Sequence, residues 1–192
     1  ASGRHPTNPL LTGGHERPTV LVTITAEALA GLTDTAAHTA SGDLLHPESA
    51  EFTKPAPAVS RLTLQTSKGD VVVEVTRAWA PLGADRFYNL ARLGYYDDMR
   101  LHRISGTKWA QFGINGTPDI AKAWRNATFP DDPFLPEHSN VRGTIAFAYK
   151  DKNARTTQVF INLQDNSPTH DKEPFVPFGR VMTGMDVVDR WN

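Results

Sequence analysis

Cysteine is absent from the 192 residues. That gap removes disulfide stapling, thiolate catalysis and cysteine-bound zinc together, and it leaves the redox compartment undecided, because reducing and oxidising surroundings both tolerate such a chain. Long apolar runs are missing as well. None approaches the roughly 18 to 20 residues that a spanning helix needs, and the opening Ala1-Ser2-Gly3-Arg4-His5-Pro6 lacks an apolar signal core. The chain reads as soluble, either cytoplasmic or exported after removal of a signal, with no membrane partner. An excess of one charge is the third thing lacking, since 20 basic residues stand against 21 acidic ones for a formal net charge of −1. No global field draws in nucleic acid, which is set aside as a partner. His5, His15, His38 and His46 have no ligand spacing, so no metal is expected. Gly113-Ile114-Asn115-Gly116 has no strand-to-helix setting for a phosphate, and no serine has a nucleophile's setting, so no cofactor is expected either.

What is present is a hydrophobic content of 39%, enough in a chain of this length for one well-buried core and a small appendage. The composition shifts near residue 53. Before it Thr, Ala, Gly, His and Pro dominate, with one alternating stretch over residues 20–24 that suits a strand and a weak helix signal over residues 25–32. Thr53-Lys54-Pro55-Ala56-Pro57-Ala58 reads as an extended linker, because alternating prolines favour polyproline geometry. The division expected is an N-terminal extension over residues 1–52, a linker over 53–60 and a main domain over 61–192. Its thin apolar content makes the extension dispensable in this reading.

Beyond the linker Leu62, Leu64 and Thr66 alternate with polar residues, Lys68-Gly69-Asp70 offers a turn, and Val71-Val72-Val73-Glu74-Val75 resumes as a strand, so a β-hairpin is expected. Pro81 opens a helix that runs to about residue 93, with Ala84, Phe87, Tyr88 and Ala91 at helical spacing and Gly94 as its stop. Further strands are expected over residues 99–105, 109–113, 144–149, 158–163 and 178–182, and a second helix from Gly184 onwards. Short strands with only two clear helices favour an antiparallel barrel or sandwich over an alternating βαβ fold.

Arg103, Gln111, Gln158 and Phe160 are the chemically interesting group. An arginine, two glutamines and a phenylalanine on apolar strands make a shallow site that can hold a peptide and hydrogen-bond its amide. No strong base or nucleophile stands beside them. Such a site suits a reaction that breaks no covalent bond, and rotation about an X–Pro peptide bond is one.

Residues 62–191 resemble a cyclophilin-type peptidyl-prolyl cis-trans isomerase, especially a bacterial branch. The resemblance is carried by Thr66-Ser67-Lys68-Gly69-Asp70, Arg86-Phe87-Tyr88-Asn89-Leu90, Gly94-Tyr95-Tyr96-Asp97, His102-Arg103, Gln111-Phe112-Gly113-Ile114-Asn115-Gly116, Arg142-Gly143-Thr144, Thr157-Gln158-Val159-Phe160-Ile161 and Phe178-Gly179-Arg180-Val181. It implies a mainly β fold, a closed eight-stranded antiparallel barrel capped by two α-helices, with an irregular N-terminal extension. It implies Arg103 and Gln111 as catalytic residues, with Arg103 stabilising the twisted amide and Gln111 orienting it. Phe160 becomes the floor of a proline pocket and Gln158 its neighbour on the same strand face. The partners implied are proline-containing peptides or unfolded protein chains, handled by a monomer. His102 falls on the opposite face from Arg103 and reads as structural.

The chain departs from that pattern at three places. Lys108 and Trp109 stand where the family normally has apolar residues, and Trp109 is expected to supply the missing wall while Lys108 keeps its ammonium in water. Tyr149-Lys150-Asp151-Lys152-Asn153 replaces small uncharged residues, beside backbone of Ala148 and Tyr149 that pairs with a peptide as an added strand. Thr169 and His170 stand where the rim usually carries Trp or Leu, and Phe175 stands near the family's pocket histidine. A module that keeps the barrel and binds peptides with little catalysis is the alternative reading.

Overall fold

Hydrophobic alternation builds the sheet. The structure, a computed structural model, describes residues 45–191 together with the backbone of residues 19–24. The helix expected over residues 25–32 lies outside these described residues. Strands β2 (Val59–Thr66) and β3 (Gly69–Thr76) form the expected hairpin, with Leu62, Leu64, Val71, Val73 and Val75 all turned into the core. The turn falls on Ser67 and Lys68, one residue earlier than expected, and Gly69 takes φ 126° after it. There Thr66 closes the loop by donating its hydroxyl to the Gly69 carbonyl at 2.7 Å.

Strand β1 (Thr19–Ile24) pairs antiparallel with β2, and β4 (Met99–Arg100) lies on its other side. The remaining strands are β5 (Arg103–Ser105), β6 (Trp109–Phe112), β7 (Thr144–Phe147), β8 (Val159–Asn162) and β9 (Pro177–Thr183). All nine join in one sheet in the order β4-β1-β2-β3-β9-β7-β8-β6-β5, and every pairing is antiparallel. Hydrogen bonds do not close this sheet among the described residues, in contrast to the closed eight-stranded barrel expected. The strand expected over residues 99–105 is split, because Leu101 turns fully into the core and ends the β4 pairing before Arg103 starts β5. Both edges of the sheet are thereby consecutive pieces of one chain segment.

Helix α1 (Pro81–Arg92) covers one side of this sheet. Its N-cap residue, Ala80, has no side chain to offer, and Asp132 replaces it by accepting hydrogen bonds from the Leu82 and Gly83 amides at 3.0 and 2.8 Å. Burial raises the pKa of this carboxyl while the two amide bonds oppose the rise. Gly94 ends the helix as expected, with φ 75°. Phe87 packs at 5.0 Å from Phe178 and 5.3 Å from Tyr96, which joins helix and sheet in one aromatic core. Among the described residues the two clear helices expected become four: α2 (Pro118–Trp124), α3 (Ser167–His170) and α4 (Met185–Asp189) follow α1. The two unexpected ones are short and begin at a proline near N1, a start signal too local to stand out from loop composition.

The described residues of the extension and linker pack against the main domain. Besides β1, Phe52 belongs to the main core and meets Trp124 edge-on at 4.6 Å. Trp124 donates its indole N–H to the Leu45 carbonyl, Asn89 donates to the Lys54 carbonyl, and Glu51 pairs at 2.8 Å with the buried Arg92. The Pro-rich stretch is pinned as well, since the Ala56 amide donates to Asp85 at 2.7 Å. No helix among the described residues is long and apolar enough to cross a membrane.

Candidate active site

Alternation along β6, β7 and β8 gives the sheet two different faces. Ala110, Phe112, Ile145, Phe147, Val159 and Ile161 enter the core. The residues between them point the other way, and the strand register lines them up in a row. Arg103 stands opposite Gln111, Gln111 opposite Phe160, and Phe160 opposite Ala146. Directly paired residues have Cβ atoms about 4.5–5.5 Å apart, so the row is contiguous across four strands. Trp109 lies two residues before Gln111 and shares its face.

Phe160 is only 3% exposed although it lies outside the core clusters. Its cover comes from the segment that follows β8. The rings of His170 and Phe175 stand 5.4 and 5.2 Å from it, both nearly edge-on. His170 also meets Trp109 at 5.4 Å and Phe175 at 4.8 Å, while Phe175 meets Tyr149 at 4.9 Å. Three aromatic residues and a histidine, Trp109, Tyr149, Phe175 and His170, thus surround Phe160 in an apolar recess of the outer face beside the polar pair Arg103 and Gln111.

The polar side of the recess is held in place. Gln111, 9% exposed, donates through Nε2 to Gln158 Oε1 at 2.9 Å. Its own Oε1 remains an acceptor. Arg103 is exposed and lies with its guanidinium carbon 5.7 Å from the centre of the Trp109 ring. Below Gln158 the chain is clamped: the Thr157 hydroxyl donates to the Gly113 carbonyl at 2.8 Å, and the Tyr96 hydroxyl donates to the Thr157 carbonyl at 2.9 Å. Gly113 is required there, because φ is 112° and a Cβ would come within 2.4 Å of the Thr157 oxygen.

The two residues expected at the rim, Thr169 and His170, face different ways. Thr169 is exposed and spends its hydroxyl on the Asn166 carbonyl at 3.1 Å, while its neighbour His170 lies among the rings. Helical periodicity in α3 explains the difference, since His170 closes the turn begun by Ser167-Pro168 and faces the sheet. Burial lowers the His170 pKa; Asp171 opposes that, Lys108 adds to it, and Glu173 opposes it. Lys108 is itself exposed, at the turn between β5 and β6. Its carbonyl accepts from the Leu163 amide and from Asn166 Nδ2, at 2.9 and 2.8 Å. Asn166 continues through Asn162 to Asn140, which donates to Asp171 and to the Phe175 carbonyl, so a buried asparagine chain ties both sides of the recess together. His102 is half-buried between β4 and β5, with its amide donating to the Gln111 carbonyl at 3.2 Å.

A groove of about 450 Å³ continues from the recess past Gln111 and Gln158 along Ala148, Tyr149, Lys150 and Arg125. The Ala148 amide is already taken by the Gln158 carbonyl at 2.9 Å. Tyr149 makes no backbone–backbone hydrogen bond among the described residues, and its side chain is fixed by donating to Glu173, which pushes its pKa up to about 12. The structure brings Arg103, Gln111, Gln158, Phe160 and Trp109, all expected at the site, near one another, while sequence reasoning missed the Thr157 clamp and the asparagine chain. Both depend on partners remote in sequence.

Comparison with known proteins agrees with this arrangement. A family profile described as "Cyclophilin type peptidyl-prolyl cis-trans isomerase/CLD" matches residues 61–192. The peptidyl-prolyl cis-trans isomerase cyp18 of Streptomyces antibioticus is 33% identical over 138 residues, which cover 68% of this chain and 82% of that protein. The peptidyl-prolyl cis-trans isomerase ppi1 of Schizosaccharomyces pombe is 31% identical over 133 residues, covering 69% and 84%. Among solved structures, a cyclophilin type isomerase of Cryptosporidium parvum superposes with a TM-score of 0.58 at 21% identity, covering 69% of this chain and 82% of that one. The same protein crystallised in the presence of the dipeptide Ala-Pro superposes at 0.57.

Proposed function

The chain belongs to the cyclophilin-type peptidyl-prolyl cis-trans isomerase family and is an isomerase of X–Pro bonds; from that premise we propose that the reaction runs on the row Arg103, Gln111 and Phe160. The observation that carries this reading is the register, which brings the three residues side by side on the outer face of the sheet.

The chemistry follows from the amide. Resonance holds an X–Pro bond planar behind a barrier of about 18–20 kcal/mol, and unassisted rotation takes tens to hundreds of seconds. Catalysis requires binding the twisted amide better than either planar form. Proline sits in the recess over Phe160, walled by Trp109, His170 and Phe175, and that fixes one side of the bond. At the twisted state the proline nitrogen becomes pyramidal and regains its lone pair, and the Arg103 guanidinium donates to it there. Gln111, braced by Gln158, uses its free Oε1 to orient that arginine or to accept from the peptide. The peptide flank lies along the groove, where the main-chain groups of Tyr149 pair with it as an added strand. No bond is broken, so no nucleophile, base or cofactor enters.

Residues 99–105 act as one bent strand whose first half pairs with β1 and whose second half pairs with β6, closing an eight-stranded barrel. The isomerase domain is residues 61–192, residues 53–60 connect, and residues 45–52 of the extension pack against it. Substrates are proline-containing peptides and unfolded chains, and the protein acts as a monomer. An NMR exchange measurement on an Ala-Pro tetrapeptide tests the function: cis–trans exchange accelerated at catalytic protein concentration is expected, and line shapes that show binding without faster exchange would replace the enzyme by a binding module.

A further inference from the structure

Arg86 breaks a rule that the other partly buried arginines keep. Arg77 pairs with Asp85 at 2.7 Å, Arg92 with Glu51 at 2.8 Å, and Arg155 with Asp131. Arg86, on α1, has no carboxylate within ion-pair reach among the described residues. Its guanidinium carbon lies 5.1 Å from the centre of the Trp124 ring and 5.0 Å from that of Phe129, both buried residues. One N–H group donates to the Ala127 carbonyl at 3.1 Å. The ring contacts occupy its faces and leave the edge donors of the planar fork for something else. Burial lowers its pKa, as a cation without a counter-ion requires.

Arg86 lines a cavity of about 470 Å³ together with His46, Glu48, Asn126 and Thr128. Glu48 forms no ion pair with Arg86 among the described residues. Asn126 and Thr128 line the peptide groove too, together with Arg125 and Lys150, so the cavity adjoins the end of the groove away from Phe160. A desolvated guanidinium fork is complementary to a carboxylate, which it binds through two parallel hydrogen bonds.

We propose that Arg86 and its cavity form a subsite for an acidic side chain of the substrate, reached by a peptide that runs from the proline recess through the groove and over Asn126 and Thr128. The subsite makes the protein prefer X–Pro sequences with a carboxylate several residues away from the proline. This rests on the isomerase reading of the Arg103 row, and the test separates the two. An extended chain covers about 3.3–3.6 Å per residue, so a single glutamate is stepped along either flank of an Ala-Pro peptide and affinity is measured by calorimetry on the full chain. One spacing is expected to bind about fivefold to tenfold tighter than its glutamine counterpart. Arg86→Gln should abolish that gain while leaving Ala-Pro tetrapeptide turnover unchanged, and Glu48→Gln should enlarge it. Equal affinity for glutamate and glutamine peptides at every spacing overturns the subsite, and this arm needs no variant that could fail to fold. A gain that survives in Arg86→Gln overturns it as well, and a gain seen only with phosphoserine overturns the carboxylate assignment. Absence of tetrapeptide turnover would instead sink the isomerase reading, while the glutamate series would still report on Arg86.

Discussion

Replacing Phe52 by alanine tests whether the front end belongs to the folded unit. Phe52 is 8% exposed, sits in the main core and meets the Trp124 ring at 4.6 Å. Truncating a buried phenylalanine costs about 3–5 kcal/mol, and a site at the margin of the core should fall near the lower bound. At about 2–4 °C per kcal/mol for a domain of this size, the melting temperature should drop by about 6–12 °C. Starting the chain at Ala58 should cost more. That truncation also removes the Leu45 carbonyl from Trp124, the Lys54 carbonyl from Asn89 and strand β1 from between β2 and β4. It leaves Arg92, whose side chain is 4% exposed, without Glu51, and stranding one member of a buried pair costs about 3–5 kcal/mol before water enters to relieve it. Thermal melts followed by circular dichroism, with urea unfolding as a second measure, give both numbers. If the truncated chain melts within about 2 °C of the full chain, the contacts of residues 45–56 contribute nothing and the boundary suggested by composition is the energetic one.

Other expectations concern the site. Thr157→Val keeps the volume but strands the Gly113 carbonyl and removes the acceptor of the Tyr95 hydroxyl; at about 1–3 kcal/mol for a buried unsatisfied group, the urea midpoint should fall by about 2 kcal/mol equivalent, and a loss under about 0.5 would show the clamp to be idle. Trp109→Ala removes the ring beneath Arg103 and a wall against His170, so peptide affinity should weaken at least about fivefold, and an unchanged dissociation constant would take Trp109 out of the recess. His170 has its pKa lowered in the folded state, so the unfolded chain binds the proton first as the pH falls. Its contribution is therefore present above about pH 6.5, the ordinary value for histidine, and is lost as the pH falls through the lowered folded value. Stability and peptide affinity should both decline from pH 8 to pH 5, and His170→Leu should flatten that decline; an equally steep decline in the variant would assign it to other groups.

Much of the sheet was legible in the sequence because its signals are local. Leu62 and Leu64 alternate on one strand and Val71, Val73 and Val75 on the next, so a period of two identifies both strands and their inner faces without reference to the rest of the chain. Pro81 and Gly94 bound the first helix for equally local reasons. The candidate row of Arg103, Gln111 and Phe160 was named through the family resemblance, and the eight positions from Arg103 to Gln111 leave room for the two short strands and turn that pair them. What was not legible depends on contacts between distant segments. The strand over residues 20–24 can be read from its alternation, but its place between β2 and β4 cannot. Asp132 looks like a turn residue until its carboxylate is found capping α1 about 50 positions earlier in the chain. Phe52 sits in a polar, proline-rich neighbourhood, and only Trp124 shows what it is for. Thr169 and His170 were both read at the rim, because a four-residue helix has too few turns to reveal which side faces the sheet.

The measurement that bears most directly on the whole account is the turnover of an Ala-Pro tetrapeptide by Arg103→Ala, compared with the parent at equal folded fraction. Arg103 is exposed and outside the core, so the fold should be unaffected. If its guanidinium meets the proline nitrogen only in the twisted state, exchange should slow at least about tenfold, equivalent to about 1.4 kcal/mol of lost transition-state stabilisation, while peptide affinity changes by less than about threefold. Turnover equal to the parent, or a loss carried wholly by weaker binding, would contradict the account.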